Sequence, residues 1–180
     1  MRHWYVLQVR TGSEDDAVSY IQRKGIDAFT PKEERTIRTG GEWRRKIYHL
    51  MPGYVFVRID YSDALYYVIR HVPGVLRVLQ ADGRPCPLPP DEAAYISYLG
   101  RSVLRPSSVI RLPDGSGKVV DGILADMADN IERIQWHRRR AVVRLTILGV
   151  PRTIELSIIP VSGAADAAAD AGQTAASPAG

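Results

Sequence analysis

The alternation of apolar and polar positions divides the chain into two differently patterned regions and a featureless tail. His3 to Arg10 (HWYVLQVR) alternates as a first strand. Thr11-Gly12-Ser13 follows, with Ser13 placed to N-cap a helix and Glu14-Asp15-Asp16 near its positive end. Ala17, Tyr20, Ile21 and Lys24 fall at helical spacing, and Gly25 is the stop. A second strand runs from Ala28 through Phe29, Thr30 and Pro31 toward Arg38, Thr39-Gly40-Gly41-Glu42 is a hairpin tip, and Trp43 to Tyr48 returns. Met51-Pro52-Gly53 is a turn signal, and Tyr54, Val55, Phe56, Val57 and Ile59 make the most strand-like run in the chain. Ser62-Asp63-Ala64 opens a helix with Leu65, Val68 and Ile69 on one side, Val72-Pro73-Gly74 ends it, and Val75 to Leu79 is another strand. The order β-α-β-β-α-β predicts a sheet with both helices packed on it, an α+β domain of about 100 residues.

Beyond this the pattern changes. Pro85 to Pro90 is a proline-rich joint, Asp91 to Leu99 a closing helix, and Arg105-Pro106-Ser107-Ser108 a linker. Five short strands then follow: Val109 to Leu112, Gly117 to Leu124, Ile131 to Trp136, Ala141 to Leu148 and Arg152 to Ile158. That spacing fits a small β-barrel, which closes its own edges. The predicted division is 1–104 (with joint, closing helix and linker over 85–108), 109–161, and an Ala/Gly-rich tail over 162–180. The tail lacks the apolar surface to offset ordering entropy and is expected to be disordered.

Composition adds exclusions. With 45% hydrophobic and 24% charged residues in 180, the chain has a globular make-up. No apolar run approaches the ~20 residues that cross a bilayer, and Met1-Arg2-His3-Trp4 enters a strand directly, without a signal-peptide core, so a cytoplasmic protein without membrane association is expected. The single cysteine, Cys86, excludes an internal disulfide framework and a cysteine-cluster metal site. There is no phosphate-binding GxxxxGK loop, GxSxG turn or HExxH pair, and the four histidines are isolated in sequence. Neither an enzyme nor a cofactor or metal is expected.

The net charge of +4 leans only mildly toward polyanions, so its distribution matters more. One basic cluster, Lys32, Arg35, Arg38, Arg44, Arg45 and Lys46, flanks the Gly-Gly tip with Trp43 on its shoulder. A second, His137, Arg138, Arg139 and Arg140, follows Trp136 at a predicted turn. Arginine forks grip phosphate and an indole stacks on an unpaired base, so both clusters are candidate nucleic-acid contacts. The alternative for each is a solvated, charged turn.

The segments WYVLQVRTGSE, MPGYVFVRI and VPGVLRVL resemble the N-terminal domain of the NusG family of transcription factors, and the stretch from Gly122 to Gly149, followed by VPRTIELSIIPV, resembles that family's KOW domain. The resemblance covers about Trp4 to Val161. It implies an NGN α/β domain with a central antiparallel sheet, followed by a small SH3-like KOW β-barrel. It also implies that the NGN domain binds the RNA polymerase clamp, with the contact positions falling on Trp4, Tyr5, Met51, Pro52, Tyr54 and Phe56. Tyr54 and Met51 are the preferred surface contacts. The KOW segment departs from the housekeeping pattern, with Gly122-Ile123 where a Gly-Pro pair is usual and Asp129 where a Gly is usual. The RTGSED, LPPDEAAYI and HRRRAVVRLTILG segments are most similar to the specialised LoaP subgroup, which implies antitermination on particular operons through an RNA hairpin in the nascent leader, with non-template DNA as a further contact. The housekeeping alternative couples polymerase to Rho or to the ribosome through ribosomal protein S10. A monomer is expected.

Overall fold

The first strand, β1 (His3–Val9), runs through the middle of a sheet in the computed structural model, which describes residues 1–162. After β1 come α1 (Glu14–Arg23), β2 (Asp27–Phe29), β3 (Lys32–Thr39), β4 (Glu42–His49), β5 (Tyr54–Ile59), α2 (Asp63–Arg70), β6 (Val75–Val78), β7 (Gln80–Ala81), β8 (Arg84–Pro85) and α3 (Pro90–Leu99). The sheet is antiparallel and ordered β2-β5-β1-β6. β3 and β4 form a separate hairpin, as do β7 and β8.

Register decides what each face of the sheet carries. Tyr5 pairs with Val57 and Leu7 with Val55, so these side chains share one face, since residues opposite each other in an antiparallel pair point the same way. Ala17 and Ile21 of α1 and Ile69 of α2 pack on that face and close a buried core. Trp4, Val6, Gln8, Tyr54 and Phe56 point to the opposite face. There Trp4 meets Phe29 edge-on at 5.1 Å, and Phe29 stacks on Phe56 at 5.5 Å. Gly100, which follows α3, lies so close that a Cβ would sit 2.2 Å from the Phe29 ring, so any larger residue there would force that ring to shift.

The second region comprises β9 (Ser107–Arg111), β10 (Gly117–Val119), α4 (Ile123–Asp126), a 3₁₀ turn (Ala128–Asn130), β11 (Ile131–Gln135), β12 (Arg140–Ile147) and β13 (Val150–Val161). The strands make a five-stranded sheet ordered β10-β9-β13-β12-β11, with β13 parallel to β9. Val109, Leu124, Ala141, Val143, Leu156 and Ile158 are buried in it. The chain divides into two compact units: Met1–Leu104 with the hairpin tip Arg144–Ile154, and Arg105–Val143 with the residues from Glu155. The NGN-type α/β region and a β-rich C-terminal region are thus both present.

Local structure departs from the sequence reading at three points. The strand expected from Ala28 to Arg38 breaks at Thr30-Pro31, because proline has no N–H for a ladder; β3 then leaves the sheet to pair with β4. The strand expected over Gly117 to Leu124 ends at Val119. Gly122, at φ +86, turns the chain into α4, where the Leu124 amide donates to Ser107 Oγ at 3.2 Å. Ser13 makes no side-chain cap bond. Instead the carboxylate of Glu14, fully buried, accepts from the amides of Gly12 and Gly53, each at 2.7 Å. The tail expectation for 162–180 lies outside the described residues apart from Ser162.

Candidate nucleic-acid interface

The β3–β4 hairpin owes its shape to Gly40 and Gly41, both at positive φ (+61° and +85°), which matches the twist of a two-residue turn to that of the strands. From Lys32↔His49 to Thr39↔Glu42 the register is unbroken. Pairing places Arg45, Arg38 and Trp43 on one face with Lys32, and Arg35, Arg44 and Lys46 on the other. The candidate cations therefore form two rows, not one patch.

Acidic partners accompany most of them. Lys32 reaches Asp15 at 2.7 Å, Arg44 reaches Glu42 at 3.2 Å, and Arg45 reaches Glu34 at 3.7 Å. Arg35 is committed to the fold: its Nε donates to the buried Glu33 at 2.5 Å and its guanidinium lies 4.7 Å from the centroid of Tyr48. Arg38 donates to the Gly41 carbonyl at 3.4 Å, and Lys46 is exposed without an ion pair among the described residues. Trp43 is 52% exposed. Ion pairs as exposed as Arg44–Glu42 are worth at most about 1 kcal/mol, so a phosphate can displace the carboxylate.

The second cluster occupies the turn between β11 and β12. Arg139 adopts φ +52, which brings its amide to the Trp136 carbonyl at 3.1 Å. His137 and Arg138 are exposed, and Arg138 faces Glu155 at 3.8 Å. Arg139 and Arg140 are half-buried, and Arg140 donates to Ser157 Oγ at 2.5 Å. Trp136 is held by its Nε1 donating to the Gly115 carbonyl at 2.9 Å and by Arg111, 5.6 Å from its ring centroid. Arg111 belongs to this surface but escaped the sequence reading, because only the fold brings it to Trp136, 25 residues away in sequence.

The six apolar candidate positions are dispersed. Tyr5 is buried on the helix-covered face, stacked on Tyr61 at 5.6 Å, and burial raises its phenol pKa. Phe56 and Met51 are also buried, whereas Pro52 is exposed and Trp4 and Tyr54 are half-buried. Arg152 lies over the Tyr54 ring at 5.6 Å. The turn ahead of Tyr54 is braced by Glu14. Burial alone would raise that carboxyl's pKa, but the amides of Gly53 and Gly12 and the nearby His49 outweigh it and hold it below the usual range. Asp15 is likewise pushed up by burial but held low overall by Lys32 and His49. Among the described residues no group of three or more His, Cys, Asp or Glu could hold a metal, and no helix is long and apolar enough to cross a membrane.

Comparison with known proteins bears on this arrangement. The sequence profile of the family described as transcription termination factor nusG matches residues 2–97. The transcription termination/antitermination protein NusG of Thermus thermophilus is 29% identical over 178 residues, covering 88% of this chain and 96% of that protein. The protein of the same name from Halalkalibacterium halodurans is 27% identical over 173 residues, covering 89% and 97%. A solved structure of Thermotoga maritima NusG, concerned with domain interaction, aligns with a TM-score of 0.48 and 19% identity over 88% of this chain and 94% of that one.

Proposed function

Because the chain belongs to the NusG family of transcription termination and antitermination factors, we propose that it is an operon-specific member of the LoaP kind, acting in the cytoplasm. In this reading the first unit rides the clamp of RNA polymerase through the Tyr54 face. The basic surfaces of both units grip a structured RNA in the nascent leader, with non-template DNA as a further contact of the hairpin. No bond is made or broken: preferential binding to the closed clamp shifts the polymerase away from pausing and termination.

The observation that carries the RNA part is the β3–β4 hairpin, which exposes Trp43, Arg38 and Arg45 on one face of a two-stranded arm. An exposed indole beside weakly paired cations combines base stacking with phosphate binding. Binding of the purified chain to leader hairpins and to scrambled RNAs, measured across a salt series, tests it. Hairpin-selective binding that survives physiological salt is expected. Equal, weak binding to all RNAs, abolished by salt, would sink the operon-specific reading.

One observation favours a second reading. Relatives named simply NusG align along nearly their whole length, which suits a housekeeping factor that couples polymerase to Rho or to the ribosome. Genome-wide occupancy separates the two, since a housekeeping factor follows polymerase on most transcribed genes.

A further inference from the structure

The first unit contains a cleft of about 660 Å³, lined by Arg70 at the end of α2, Leu76 and Arg77 along β6, Tyr66, and the β12–β13 tip with Val150 and Arg152. Three arginines thus converge on one concavity, and no carboxylate lines it. Neither Arg70 nor Arg152 has an ion pair among the described residues, and Arg77 spends only its Nε, on Gln8 Oε1 at 2.8 Å. Arg152 Nε is buried without a hydrogen-bond partner, although its guanidinium stacks over Tyr54. Burying a charged donor unsatisfied is costly, and uncompensated cations around a concavity focus positive potential into it.

We infer that this cleft binds an oligophosphate chain. Three arginines, carried on three different elements around one cleft, suit an anion with several phosphoryl groups, and the volume lies in the range of small-ligand sites. Leu76 and Val150, 57% and 50% exposed at its margin, offer an apolar surface to whatever carries the phosphates. Two carriers share this chemistry: a free nucleoside triphosphate, and the 5′-triphosphate end of an unprocessed RNA. The inference does not depend on clamp binding or on hairpin selectivity.

Calorimetric titration of the full chain with inorganic tripolyphosphate tests the site. Saturable binding at low salt is expected, weakened roughly tenfold or more by Arg152→Ala and by Arg70→Glu. Arg70 is exposed, so its variant folds even where loss of Arg152 disturbs packing. Arg105→Ala, at an exposed position outside the cleft and outside both basic clusters, is the control and should leave affinity unchanged. Absence of binding at millimolar tripolyphosphate overturns the inference, as does an equal loss from Arg105→Ala, which would indicate unspecific attraction. ATP, and one RNA carrying either a 5′-triphosphate or a 5′-hydroxyl, then separate the carriers. Displacement of tripolyphosphate by ATP assigns a free nucleotide, and displacement by the triphosphate RNA alone assigns the transcript end.

Discussion

Replacing Glu14 should destabilise the first unit in a graded and pH-dependent manner. Its buried carboxylate accepts two amide hydrogen bonds of 2.7 Å, one from Gly12 ahead of α1 and one from Gly53 ahead of Tyr54. Hydrogen bonds to a charged group contribute about 1.5–3 kcal/mol each, so Glu14→Ala loses roughly 3–6 kcal/mol. That is a large fraction of the ~5–15 kcal/mol of a typical domain. Glu14→Gln keeps one acceptor but turns its NH₂ toward the other amide, which strands one buried donor at a cost of about 1–3 kcal/mol. Urea unfolding should therefore rank wild type above Gln and Gln above Ala.

The sign of the pH effect follows from the lowered pKa of Glu14. The folded state binds the proton less readily than the unfolded chain, so the stabilisation is fully present above the unfolded carboxyl value of about 4.3 and is lost as pH falls through the folded value. Asp15 titrates in the same direction in both proteins. The difference between wild type and Glu14→Gln therefore isolates Glu14, and the two stability curves should converge in acid. Equal stability of Gln and wild type at neutral pH, or a gap that persists undiminished at low pH, would refute the assignment of Glu14 as the brace of this turn.

Three other substitutions probe different contacts. Gly100→Ala places a methyl 2.2–2.5 Å from three carbons of the Phe29 ring and should cost about 1–3 kcal/mol in urea unfolding. Glu92 accepts from the amides of Leu148 at 2.6 Å and Gly149 at 3.1 Å, so Glu92→Gln should speed hydrogen exchange at those two amides while leaving β5 amides protected. Tyr54→Ala should lower polymerase association in a pull-down and spare RNA affinity; loss of both would indicate a folding defect.

Much of the fold was legible because period-2 runs and glycine punctuation are local signals. β1, β5, α2 and the Gly40-Gly41 tip all stand where the pattern put them. What escaped was non-local. The buried Glu14 brace was not visible because one of its donors, Gly53, lies 39 residues away. Alternation along β1 already separated Trp4 from Tyr5, but only the helix positions reveal that the Tyr5 face is the covered one. The acids of the basic cluster were only partly legible: Glu33 and Glu42 stand two residues from Arg35 and Arg44 on the same strand, whereas only strand pairing brings Glu34 beside Arg45. These pairings divide the cluster by energetic role. The Arg35–Glu33 pair is largely out of water, so breaking it would remove the ion pair of a buried carboxylate, and Arg35 therefore belongs to the fold. Arg44 and Arg45 are 64% and 78% exposed in the side chain, where a carboxylate is readily exchanged for a phosphate. Any affinity of the hairpin for nucleic acid must therefore reside near its tip and fall with salt, whereas Arg35→Ala would act through stability.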